Sequence, residues 1–171
     1  MRRWLALVPL VGLILLGVLF AGYSLKRNPR VQPSAMVGKP VPDLTLPVLE
    51  TGRMQAIRQA APGPLLVNFY ASWCAPCELE APALMRLKGQ GVTILGIGYK
   101  DAPDNNRAFL ARVGDPFAVR LLDRDGRAGL EFGVTGVPES YVIDEGGKIV
   151  AKYTGELTPA EELDIIAATR R

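Results

Sequence analysis

Apolar positions along the chain fall into two regimes. From Trp4 to Tyr23 about 20 consecutive residues carry no charge, the length a helix requires to cross a bilayer. Trp4 and Tyr23 stand at its two ends, where amphipathic aromatics favour the membrane interface. Beyond this segment the apolar runs are short and separated by turn residues. Asp43-Leu44-Thr45-Leu46 alternates polar and apolar like a strand. Leu65 to Tyr70 is a continuous apolar run broken only by Asn68, the pattern of a central strand covered on both faces. Cys74 to Lys88 then reads as a helix, with Pro82 in its interior predicting a kink.

Val92 to Gly98 reads as a second buried strand, Pro103 to Val113 as a helix, Ala118 to Leu122 as a short strand and Ala128 to Phe132 as a short helix. Ser140 to Asp144 and Lys148 to Tyr153 flank Glu145-Gly146-Gly147, a hairpin signal. Thr158 to Thr169 closes as a helix, with Thr158 as N-cap, Pro159 as first residue and Glu161 completing a capping box. The order β-β-α-β-α-β-α-β-β-α predicts an α/β fold, one mixed sheet with helices on both faces. Residues 1–23 form the membrane segment, 24–42 a linker punctuated by Pro29, Pro33, Gly38, Pro40 and Pro42, and 43–171 a single domain.

Composition narrows the function mainly by exclusion. The formal charge of +3 is modest, and Arg2, Arg3, Lys26, Arg27 and Arg30 belong to the flanks of the membrane segment, so nothing points to nucleic acid. Those flanks are nearly balanced, and the positive-inside rule alone does not orient the segment. A cleaved signal peptide is the competing reading, but its apolar core is only ~7–15 residues and ends in a small-x-small site. Leu19 to Ser24 offers no clean site of that kind, which favours a retained anchor.

The chain has two cysteines and no histidine. That composition excludes a Cys–His protease pair, a four-ligand zinc site and histidine-ligated haem, and no metal or cofactor is expected. Glu78 follows Cys77, so the pair is not a haem attachment site. Trp73-Cys74-Ala75-Pro76-Cys77 falls where a strand ends and a helix begins. The first sulfur then sits at the helix N-terminus, where unpaired N–H groups and the positive end of the dipole favour thiolate. Cys74 is accordingly the expected exposed nucleophile and Cys77, one turn inside, the shielded resolver of a mixed disulfide. A structural staple across so short a loop would constrain the unfolded chain little.

With these elements placed, the domain resembles the thioredoxin superfamily, and Gly136-Val137-Pro138 looks like that family's cis-proline loop. Only X–Pro bonds take the cis form cheaply. The backbone of Val137 beside such a proline is placed to pair with a partner strand passing the cysteines. Leu66 to Cys74, Gly98 to Asp101, Gly114 to Phe117, Gly133 to Asp144 and Gly155 to Thr158 resemble one branch in particular, the membrane-anchored thiol-disulfide reductases of c-type cytochrome maturation (the CcmG/DsbE type). The resemblance implies a domain on the periplasmic side of a bacterial inner membrane. It implies apocytochrome c or a maturation or haem-lyase protein as substrate, and a membrane electron donor of the DsbD/CcdA type.

One departure from general thioredoxins bears on the proton. Where they carry an Asp in the central strand, this chain has Asn68, which cannot take up a proton as a carboxylate does. Glu80, three residues beyond Cys77, is the candidate base, since the branch is known for an acidic residue there and helical spacing puts both on one face. Glu139, after the cis-proline, is the rival, or else contacts the partner. Trp73 is expected to pack over the thiols and Glu78 to lie on the surface. A general tethered disulfide reductase or oxidase remains open, since Ala75 and Pro76 do not fix the direction of exchange. A non-catalytic apocytochrome-binding module also remains open, and a copper chaperone lacks the usual histidine.

Overall fold

The computed structural model describes residues 7–24, 35–60 and 63–170. Trp4 and the basic flanks Arg2, Arg3, Lys26, Arg27 and Arg30 lie outside these residues, as do Pro29 and Pro33 of the expected linker. The chain divides into two units, 1–33 and 34–171. In the first, Leu7–Ser24 forms helix α1, uncharged and apolar all round, with Leu13 and Phe20 each 70% exposed. Its 18 residues rise about 27 Å, less than the ~30 Å hydrocarbon core of a bilayer. Among the described residues no helix is long and apolar enough to cross a membrane.

The second unit is built on a five-stranded sheet of order β5-β4-β3-β6-β7. Its strands are β3 (Leu65–Tyr70), β4 (Ile94–Tyr99), β5 (Val119–Asp123), β6 (Glu139–Ile143) and β7 (Ile149–Thr154). β3 is central and wholly buried, parallel to β4 and antiparallel to β6. Helices α2 (Ala75–Gly89), α3 (Pro103–Val113), α4 (Arg127–Phe132) and α5 (Pro159–Thr169) connect or close the strands. Each expected strand and helix of this domain is present, displaced at its ends by a residue or two. The expected first strand is β1 (Thr45–Pro47), and it pairs antiparallel with β2 (Met54–Ala56), a strand the sequence pattern did not signal.

Side chains alternate across β3, so one strand supplies two cores. Leu66 and Tyr70 face a cluster with Leu84, Leu87, Phe109, Leu110, Phe117 and Ile165. Val67 and Phe69 face another with Leu95, Ile97, Leu121, Phe132 and Tyr141. In that second core the Phe69, Phe132 and Tyr141 rings meet edge to face at centroid distances of 5.1–5.8 Å. Such pairs each add about 0.5–1.5 kcal/mol beyond the area they bury. The alternation also decides the site. Asn68 falls on the face of Leu66 and Tyr70, the face that α2 covers.

Helix ends follow the sequence closely. Thr158 accepts from the Glu161 N–H while the Glu161 carboxylate reaches back to Thr158, a complete capping box on α5. α2 has Cys74 as its N-cap, in extended conformation, and continues through Pro82 to Gly89. The approach of elements is close where glycine stands. A Cβ on Gly96 would sit 2.6 Å from the Phe117 ring, so the β4 backbone and that ring share space only glycine leaves.

Candidate active site

Cys74 and Cys77 form a disulfide at the start of α2, with Cα atoms 5.3 Å apart. Cys74 Sγ accepts the backbone N–H of Cys77 at 3.1 Å, one of the donors a helix N-terminus leaves unpaired. In the reduced state the same N–H and the helix dipole stabilise negative charge on Cys74. Cys77 lies inside the first turn and has no such position.

Cys74 is not the exposed sulfur that the motif predicts. Cys74 is 5% and Cys77 3% exposed in the oxidised chain. The cover is the Val137–Pro138 loop, whose peptide bond is cis and whose Val137 carbonyl oxygen lies 3.4 Å from Cys74 Sγ. A disulfide sulfur carries no proton, so this contact is positional; a Cys74 thiol finds an acceptor there. The asymmetry between the sulfurs therefore rests on the helix terminus and not on exposure.

Trp73 does not pack inward. It is 60% exposed, and its ring N–H donates to the Lys100 carbonyl at 3.3 Å. The turn that carries it is held from beneath by a buried carboxylate. Asp101 accepts the Ser72 N–H and the Ser72 hydroxyl, each at 2.8 Å, the Ala102 N–H at 2.9 Å and the Asn106 amide at 3.0 Å. Asn106 in turn accepts the Tyr70 hydroxyl at 2.6 Å. This network ties the end of β3, the start of α3 and the loop before Cys74 together, and no local pattern in the sequence announces it.

Glu80 is 1% exposed, one turn along α2 from Cys77, and its carboxylate accepts the Asn68 side-chain amide at 3.0 Å. The same amide nitrogen donates to Ser140 on β6 at 3.0 Å. Among the described residues the other Glu80 oxygen and the Asn68 side-chain carbonyl oxygen have no hydrogen-bond partner. Burial pushes the Glu80 carboxyl up to about 8; the Asn68 bond opposes this in part, and the charges of Glu156 and Glu161 add to it. A carboxyl that titrates near neutrality is suited to taking up and returning a proton. Asn68 and Cys77 also line a cavity of about 10 Å³ walled by Tyr70, Leu84, Phe109 and Phe117. Glu78 is on the surface, paired with Arg112.

Glu139 has different surroundings. It is fully buried, one oxygen accepting the Thr135 N–H at 3.1 Å and hydroxyl at 2.6 Å, the other the Tyr141 hydroxyl at 2.8 Å and the Lys152 ammonium at 2.9 Å. Every lone pair it offers is taken, and it faces neither solvent nor the sulfurs. That is an environment for holding a loop; of the two carboxylates, Glu80 alone has an oxygen without a partner.

The comparisons decide the family. A family model described as Redoxin matches residues 36–168. The chain belongs to the redoxin family. Thiol:disulfide interchange protein HelX of Rhodobacter capsulatus is similar at 39% identity over 161 residues, 92% of this chain and 90% of that protein. Thiol:disulfide interchange protein DsbE of Pseudomonas fluorescens is 40% identical over 170 residues, 98% of this chain and 94% of that protein. The crystal structure of a DsbE from Chlorobium tepidum shares the fold with a TM-score of 0.64 and 27% identity, over 76% of this chain and 94% of that one. This redoxin is a thiol:disulfide oxidoreductase of the DsbE type, and Cys74 and Cys77 are its dithiol in the oxidised state.

Proposed function

We propose that this redoxin reduces the disulfide formed across the haem-binding cysteine pair of an apocytochrome c, or in a helper of cytochrome c maturation. It does so from the periplasmic side of a bacterial inner membrane, with residues 1–23 as a retained anchor and a tether that ends where Gly38 and Val41 join the domain, donating to the Ile149 and Gly147 carbonyls. The observation that carries this reading is the site itself, a Cys-x-x-Cys pair on a helix N-terminus under a cis-proline loop, with a titrating carboxyl one turn behind the second cysteine. Likeness to DsbE over 98% of the chain, which takes in the N-terminal segment, supports the anchor.

In the reduced chain the Cys74 thiolate attacks one sulfur of the substrate disulfide. The substrate S–S bond breaks, a Cys74–substrate disulfide forms and one substrate thiolate leaves. Cys77 gives its proton to Glu80 and attacks the Cys74 sulfur, forming the Cys74–Cys77 bond and releasing the second substrate thiolate, which takes a proton. Two electrons pass to the substrate. The oxidised chain is returned to the dithiol by a membrane electron donor of the DsbD/CcdA type, because its compartment is oxidising. Trp73, Val137 and Pro138 form the surface that meets the substrate, with the Val137 backbone pairing with an extended segment.

The test is reduction of an oxidised Cys-x-x-Cys-His peptide by the reduced chain, set against an unrelated disulfide of equal length. Preference for the first supports the maturation role. Equal rates would favour a general tethered reductase, and no transfer to either would leave a binding module.

A further inference from the structure

We propose that Lys152 is a positioning residue for disulfide exchange, the buckle that holds the cis-proline loop at its working distance from Cys74. Its side chain is 7% exposed, and its ammonium makes two bonds that bracket the loop. One goes to the Glu139 carboxylate at 2.9 Å, the other to the Gly133 carbonyl at 3.0 Å. The ammonium also lies 5.3 Å from the centroid of the Tyr141 ring, whose hydroxyl donates to the same carboxylate.

The bonds fix the loop at successive points. Gly133 is held by Lys152, Thr135 by Glu139 and the Pro138 carbonyl by the Gly155 N–H at 2.9 Å. Between Thr135 and Pro138 lies Val137, with its carbonyl oxygen 3.4 Å from Cys74 Sγ. Sheet register makes this possible. Lys152 is directly opposite Tyr141 on the antiparallel pair, and Glu139 is the diagonal neighbour on the same face.

A buried ion pair is weak evidence for stability, since an apolar replacement of similar size is often neutral, whereas fixing a register is its better-attested use. Here the pair sits under a loop that touches the nucleophilic sulfur. Displacing such a loop by a fraction of an ångström matters for a partner that aligns its backbone there, and much less for a small disulfide that needs only the sulfur.

The inference rests on the exchange reading, and the experiment separates the two. Full-length chain in detergent is reduced, freed of reductant and mixed with an oxidised Cys-x-x-Cys peptide or with 4,4′-dithiodipyridine, under single-turnover conditions. Lys152→Met is expected to raise the half-saturating peptide concentration about tenfold, with the limiting rate and the dithiodipyridine rate within about twofold of the parent. Lys152→Arg is expected to restore most of the peptide affinity. A folded Lys152→Met with the parent's half-saturation, or with equal losses on both substrates, overturns the proposal. Thr135→Val, which removes the Glu139 hydroxyl contact and no charge, serves where Lys152→Met fails to fold. It is expected to raise the half-saturation in the same substrate-selective way, and parental behaviour there overturns the proposal equally. No reaction of the parent chain with dithiodipyridine would contradict the exchange reading instead.

Discussion

The Asn68 amide donates to the Glu80 carboxylate across 3.0 Å, joining the central strand to the active-site helix where neither side chain meets solvent. The pair places a titratable group behind Cys77 without placing a second charge there, because Asn68 stays neutral at every pH. The proton chemistry of the site therefore converges on one carboxyl.

Glu80→Gln makes that carboxyl measurable. Its folded value of about 8 lies above the ordinary 4.5. Between these values the folded chain keeps a proton that the unfolded chain releases, so stability falls as pH rises through that window. The variant escapes this loss. Urea melts should show parent and variant alike near pH 4, and the variant more stable above pH 8, on the order of 4 kcal/mol. The same variant should slow exchange and remove the dependence on pH that Glu80 imposes. A stability difference independent of pH would contradict the raised carboxyl.

Asp101→Asn should loosen the turn that presents Trp73 and Cys74. The carboxylate accepts four donors, and an amide replaces one acceptor oxygen with a further donor, leaving donors facing donors. A loss of about 2–3 kcal/mol is expected in urea unfolding. Exchange should slow as well, whereas Asp104→Asn, on an exposed helix pair, should leave both unchanged.

Gly96→Ala tests the packing beneath the site, since the Phe117 ring it meets also walls the cavity that Cys77 lines. The added Cβ meets the Phe117 ring at 2.6 Å in a filled core. Overpacking of this kind costs about 1–3 kcal/mol, read as a lower denaturation midpoint in urea.

The retained anchor is tested by fractionation. Intact chain should stay with membranes through a high-salt wash, and protease added to spheroplasts should digest the domain. A shortened, soluble form would identify the apolar segment as a cleaved signal.

Much of the fold was legible because local signals agreed. The unbroken apolar run of Leu65 to Tyr70 marked the central strand, Pro103 opened α3, and Thr158 with Glu161 announced the start of α5. β2 went unseen because Met54 to Ala56 is three residues long with an outward Met54, too short to show a period. The cysteines were evident from spacing, and Glu80 from helical register. The role of Glu139 was not, and the reason is a bulge. The β6–β7 register shifts between Val142 and Ile143, so that Lys152 and not Ala151 stands opposite Tyr141. One residue of slip exchanges the faces of a strand, and no local pattern in Ile149 to Thr154 reports it. The contacts of Asp101 are illegible for a similar reason, since its donors come from Ser72 as well as from Ala102 and Asn106. The cover over Cys74 is likewise tertiary, supplied by a loop some sixty residues later.

The most direct test of the central claim is a trap. Cys77→Ser removes the resolving sulfur, so the mixed disulfide on Cys74 persists. Expressed in cells that make c-type cytochromes and then quenched with acid, the variant should be found linked through Cys74 to a cysteine of a Cys-x-x-Cys-His segment in an apocytochrome, or to a maturation protein. Cys74→Ser expressed in the same way should trap no such adduct. Adducts spread over unrelated envelope proteins, or an adduct formed through Cys77 when Cys74 is replaced, would contradict the account.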